Sequence, residues 1–131
     1  MRHARRATGL LALLGLLACT QPDRAVSICE ATEDGALKDG AEVRLAAVFS
    51  TDGAQVGFFR DNDCAQVDVA LFLDEETPGA KALYDQVSAA AGPGQPLQRY
   101  RVDVSGVFHD QYGVTSNALL ATRVNAFERI E

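Results

Sequence analysis

The sequence predicts a mainly β domain of five strands with one helix between the third and the fourth. Apolar residues alternate with polar ones in short runs between Gly40 and Phe127, the period-two mark of strands with one buried face. A single stretch, 77–91, has helix-forming composition instead, and clusters of Asp, Asn, Gly and Pro separate the runs.

Lys38-Asp39-Gly40 reads as a turn into the first strand, Ala41 to Ser50, which alternates at first and then becomes a continuous apolar patch with room for a bulge. Thr51-Asp52-Gly53 predicts a tight hairpin, because Asp-Gly readily takes the positive φ angles that match strand twist. The second strand then spans Ala54 to Arg60, where Phe58 and Phe59 are neighbours and one of them faces outward or sits at a bulge. After Asp61-Asn62-Asp63 the third strand, Gln66 to Leu73, puts Val67, Val69, Leu71 and Leu73 on one face. The helix has Thr77 as N-cap, Pro78 at its first position, Leu83 and Val87 four apart, and Gly92-Pro93-Gly94 as its stop. The fourth strand, 97–108, alternates through Val104 and shifts phase at Gly106, where glycine permits a bulge or sharp coil. His109 to Asn117 reads as a polar loop and Ala118 to Phe127 as the fifth strand.

This order, with a helix after strand three and a glycine-kinked strand four, resembles the OB fold, a partly open five-stranded Greek-key barrel. The resemblance is architectural and covers most of 40–127. It implies a barrel, and many such barrels bind oligonucleotides or oligosaccharides, but a fold does not establish a function.

The N-terminus carries an address. Arg2, Arg5 and Arg6 precede the nine apolar or small residues Gly9 to Leu17, the layout of a secretory leader and about half the ~20 residues that a membrane-spanning helix needs. Leu16-Leu17-Ala18-Cys19 then resembles the lipobox of bacterial lipoproteins. The resemblance implies a diacylglyceryl group on the Cys19 thiol, cleavage between Ala18 and Cys19, and acylation of the new amine. Two or three acyl chains hold a protein stably where one holds it only marginally. Thr20, rather than Asp, follows Cys19, which by the same resemblance points to the outer membrane, facing the periplasm. The expected division is a leader over 1–18, a polar tether over 19–27 and the barrel over 28–131.

Cys29 and Cys64 are an even pair in an exported chain, so a disulfide is expected. It closes a loop of roughly 35 residues, for a stabilisation of about 3–4 kcal/mol in the chain-entropy model, and would pin the segment before the first strand to the junction of the second and third. A zinc site needs about four ligands, and with Cys19 acylated and His109 the one histidine left after cleavage, that supply is thin; no metal and no cofactor is expected. The whole chain has 12 basic and 18 acidic residues. Loss of the three leader arginines leaves nine against 18, a formal charge of −9, which disfavours phosphate backbones and hence nucleic acid.

The candidate ligand contacts are Arg99 and Arg101, two apart on the fourth strand, with Arg123 on the fifth; together they suit one anionic group if the strands pair with these side chains on one face. His109-Asp110 lacks a recognisable nucleophile to activate. Asp61, Asp63 and Asp68 offer oxygen atoms to a cation but lack the glycine and bidentate glutamate of an EF-hand loop. The sequence therefore favours a non-catalytic envelope lipoprotein that binds a partner protein or envelope ligand, over a lipid-anchored hydrolase or metal-binding protein using Asp61, Asp63, Asp68 or His109. Cys19→Ala is expected to leave the domain folded but unattached to the membrane. A clickable fatty acid should label the wild type and not the variant; an unlipidated mature N-terminus at any other residue would contradict the assignment.

Overall fold

A computed structural model of the chain describes residues 24–53, 57–90 and 95–130, apart from the side chain of Phe58. The leader, Cys19, the start of the tether, Ala54 to Val56 and Gly92-Pro93-Gly94 lie outside the described residues. The elements run α1 (Ile28–Glu33), β1 (Glu42–Thr51), β2 (Gly57–Arg60), a 3₁₀ turn (Asn62–Cys64), β3 (Asp68–Phe72), α2 (Ala80–Ala89), β4 (Gln98–Tyr112) and β5 (Thr115–Arg129). The five strands close into a barrel in the order β1-β2-β3-β5-β4. Four seams are antiparallel, and the fifth, β3 with β5, is parallel over Ala70–Ala118, Leu71–Leu119 and Phe72–Leu120. With α2 between β3 and β4, this is the OB-like barrel that the sequence predicts.

Strand alternation decides what is inside. Val43, Leu45 and Ala47 of β1, Phe59 of β2, Val69 of β3, Tyr100, Val102, Val104 and Phe108 of β4, and Leu119 and Val124 of β5 form one buried cluster. Each large member contributes about 1.5–3 kcal/mol by leaving water. Helix α2 adds Ala80, Leu83 and Val87 at the barrel end where β1 finishes and β4 begins. There the buried Gln98 donates from Nε2 to Val87 O at 3.2 Å and accepts from the Tyr100 hydroxyl, so polar atoms enter the core already paired.

The opposite end is closed by α1, which the sequence reading leaves unassigned. Ser27 caps it, its Oγ accepting from Glu30 N at 3.0 Å, and Ile28 and Ala31 enter the core. Val26 bridges Leu45 in parallel, with Val26 N donating to Arg44 O at 3.0 Å and Ala46 N to Val26 O at 2.9 Å. It occupies the edge of β1 that β2 leaves open, since β2 pairs with β1 only from Val48 onward. Val26 and Ser27, at the end of the expected tether, thus already take part in the fold. The disulfide expected between Cys29 and Cys64 is present, with Cα atoms 5.5 Å apart, and ties α1 to the 3₁₀ turn after β2.

Four local expectations are corrected. Helix α2 is capped by Gly79, not Thr77: Gly79 has φ +83 and stands where a Cβ would lie 2.1 Å from Val124 O, while Val124 N donates to Pro78 O at 2.8 Å. Docking against β5 therefore sets the helix start, and Thr77 hydrogen-bonds Asp74 instead. Thr51 pairs with Gly57, so five residues join β1 to β2 rather than the three of the expected Thr51-Asp52-Gly53 hairpin. The stretch expected as a loop, His109 to Asn117, is the outer part of a β4–β5 hairpin that turns at Gly113 (φ +60) and Val114, between paired Tyr112 and Thr115. A solvated ribbon needs no alternation, which is why its sequence looks irregular. Finally, inward alternation on β4 continues unbroken through Gly106 and Phe108, and the extra residues at the two register shifts are Asn125 and Thr122 of β5.

Gly106 is nonetheless the residue this coil requires, since a Cβ there would lie 2.4 Å from Leu120 O. Gly106→Ala is expected to cost about 2–3 kcal/mol through backbone overpacking, read from urea unfolding. A loss under about 0.5 kcal/mol, the ordinary surface effect, would contradict the close approach.

Candidate functional site

The outward face of β4 and β5 carries the three arginines singled out in the sequence. Arg99 and Arg101 both point outward on β4, opposite Ser50 and Val48 of β1, and Arg101 also faces Glu128 of β5. Arg123 is on the same face but opposite Ser105, four residues beyond Arg101, or roughly 13 Å along the strand. Between them lies Asp103. Its two oxygens accept from Arg44 Nε and Nη2 at 2.9 and 2.8 Å, and Asn125 Nδ2 donates to its Oδ1 at 3.1 Å and to Ser105 Oγ at 2.9 Å. The structure thus places Arg99 near Arg101 and separates Arg123 from them by a neutralised ion pair. The hydrogen bonds from Arg44, helped by Asn125, hold the Asp103 carboxyl below its ordinary value against the opposing effect of partial burial.

Beside this clamp, a cleft of about 310 Å³ opens over β1. Its floor is Ala46 and Val48, small enough to leave a depression. Arg101 stands on one side; Arg60, at the end of β2, and Asp61, Asn62 and Asp63 stand on the other. Arg60 Nε donates to Asp68 Oδ1 at 2.6 Å, and Asp61 caps the 3₁₀ turn by accepting from Asp63 N at 3.1 Å. The acidic turn and an arginine expected to meet a ligand are therefore two walls of one depression. Arg60, missed in the sequence, adjoins Asp61 directly, but only the β1–β2 register shows that it faces the same cleft as Arg101.

His109 lies elsewhere. Its Nδ1 is 3.5 Å from Asp39 Oδ1, which also accepts from Asp110 N at 3.1 Å; consecutive residues of a strand point to opposite faces, so Asp39 rather than Asp110 is its carboxylate partner. A second cleft of about 300 Å³, also missed, lies between α2 and the ends of β1 and β3, against Phe49, Leu71, Leu83 and Tyr84. The Tyr84 hydroxyl donates to Leu73 O at 2.8 Å; burial raises its pKa, and Asp74 and Glu75 add to the effect. Near it Phe72 and Tyr112 meet edge to face with centroids 5.3 Å apart, both exposed.

No family model, characterised protein or solved structure matches the chain. The chemistry available is that of the side chains themselves: the Arg101 guanidinium for an anionic group, the Arg60–Asp68 pair beside it, carboxylates for cationic or hydroxyl partners, and a small apolar floor.

Because its folded pKa is depressed, Asp103 contributes stability at pH values above its ordinary 3.8, and that contribution is lost as pH falls through the lower folded value. Asp103→Asn is expected to cost about 1–2 kcal/mol at pH 7 by weakening a charge-assisted pair. The gap between variant and wild type should narrow steadily below pH 3.8; a gap independent of pH would contradict the pairing.

Proposed function

We propose that this chain is a lipid-anchored, non-catalytic protein of the bacterial cell envelope, attached through Cys19 and binding a partner protein or an envelope ligand with the cleft over β1. The observation that carries the reading is that Arg101 faces Arg60, Asp61 and Asp63 across a floor of Ala46 and Val48. Charges of both signs, fixed on strands and on a capped turn, set orientation and specificity for a polar surface of mixed charge. The lining supplies charge and hydrogen bonds rather than a nucleophile with its base.

Retention at the outer membrane follows from the lipobox resemblance and Thr20. The −9 charge after cleavage repels nucleic acid, and a two-arginine cleft with acids on its rim suits one group rather than a polyanion. A hydrolase built on Asp61, Asp63, Asp68 and His109 has less support, because Asp68 is engaged by Arg60 and His109 stands beside Asp39.

Placing a photo-crosslinking amino acid at Val48 in the full chain, expressed in its host, tests the assignment. A discrete adduct is expected, reduced about tenfold by Arg101→Glu, with none from the same probe at Ser116 on the hairpin. An adduct from Ser116 alone, or a Val48 adduct indifferent to Arg101→Glu, would overturn it.

A further inference from the structure

At the barrel end closed by α1, three ligand-bearing side chains converge. The sulfur atoms of Cys29 and Cys64 and a carboxylate oxygen of Asp61 all lie within 4.8 Å of one another. They come from α1, from the end of the 3₁₀ turn and from the residue that caps it. While the two sulfurs are bonded to each other, neither is available to a metal. We propose that reduction of this disulfide converts the corner into a Zn²⁺ site, with the Cys29 and Cys64 thiolates and the Asp61 carboxylate as protein ligands and water as the fourth.

The chemistry favours such an ion. Two soft thiolates with one carboxylate match the ligand preferences of Zn²⁺, and three protein ligands plus water is an established coordination pattern for it. Without a cation, nearby carboxylates oppose ionisation of the two thiols in a domain that is already strongly acidic, and a dication favours the deprotonated sulfurs that bind it. The ligands are also held together by more than the disulfide. Ile28 and Ala31 anchor α1 in the core, Ser27 caps it, Val26 is hydrogen-bonded to β1, and Asp61 is fixed by the cap that its Oδ1 makes in accepting from Asp63 N. The site does not depend on the anchor; it shares Asp61 with the cleft over β1, but metal binding by the reduced chain is read without the cleft's partner.

The reductant required is a dithiol. One of its thiolates attacks Sγ of Cys29, the less buried of the two residues, and Cys64 leaves as thiolate. The second reductant thiol then attacks the reductant's own sulfur in the mixed disulfide, releasing Cys29 and leaving the reductant oxidised by two electrons. Binding of Zn²⁺ displaces any protons that the two thiols have taken up.

The test uses the full chain in detergent micelles, reduced with a phosphine, freed of reductant without oxygen and titrated with Co²⁺ as a coloured stand-in, then with Zn²⁺ in competition. Expected are one equivalent per chain, a thiolate-to-cobalt charge-transfer band, and protection of both Cys29 and Cys64 from alkylation. Affinity should fall at least about tenfold in Asp61→Asn, the range seen when a metal's supporting groups are removed, in a variant that retains the cap and the disulfide for folding. The oxidised chain should bind nothing. If reduction unfolds the domain, restoration of its circular dichroism by Zn²⁺ supports the site and failure to restore it overturns it. Absence of the band, or equal affinity in Asp61→Asn, also overturns it.

Discussion

The fold depends on one short seam. Only three residue pairs, Ala70–Ala118, Leu71–Leu119 and Phe72–Leu120, join β3 to β5, yet without them the sheet would be open. Parallel pairing is slightly weaker per residue than antiparallel, so the seam is held as much by what it encloses as by its own ladder. Val69, Ala118 and Leu119 are buried immediately around it. Opening it would leave two unpaired strand edges and admit water to the core that Phe59, Tyr100 and Phe108 fill.

Closure imposes the coil that the rest of the chain accommodates. A five-stranded barrel has a small radius, so the long hairpin of β4 and β5 must bend sharply, and the two bulges at Thr122 and Asn125 increase its local twist. Gly106 lets the hairpin's backbones approach at the inside of that bend. The barrel's two ends remain to be covered, one by α2 and one by α1. The bulged Asn125 also reaches Asp103 and steadies the Arg44 clamp, so the same distortion that closes the barrel braces the sheet beside the candidate cleft.

What the sequence made legible follows from which patterns are local. Val67, Val69, Leu71 and Leu73 declared an inward face because strand alternation has a period of two, and the helix after β3 declared itself by length and composition. Gly106 stood out as a glycine in a strand, but which partner strand carried the extra residues depends on pairing and leaves no local mark. The hairpin beyond His109 was invisible because a ribbon wet on both faces obeys no apolar period. Helix α1 is too short for periodicity, although Ser27 followed by Glu30 at the third position is a capping-box signature that stood in plain view. The start of α2 could not be read from Thr77-Pro78, because Gly79 and Val124 decide it from 45 residues apart. The cleft was half legible: its charged residues stood out, but their convergence depends on the registers of β1 with β2 and β4. The approach of Asp61 to both sulfurs is likewise a product of folding, since counting cysteines and histidines left it out.

Amide hydrogen exchange resolved by residue tests the closed barrel most directly. If the seam is the constraint described, the amides that pair Ala70–Phe72 with Ala118–Leu120 should exchange as slowly as those in the middle of β1 and β4, through global unfolding alone. Exchange at the seam that is markedly faster than in the β1–β4 ladder, under conditions where that ladder stays protected, would show an open sheet and contradict the account.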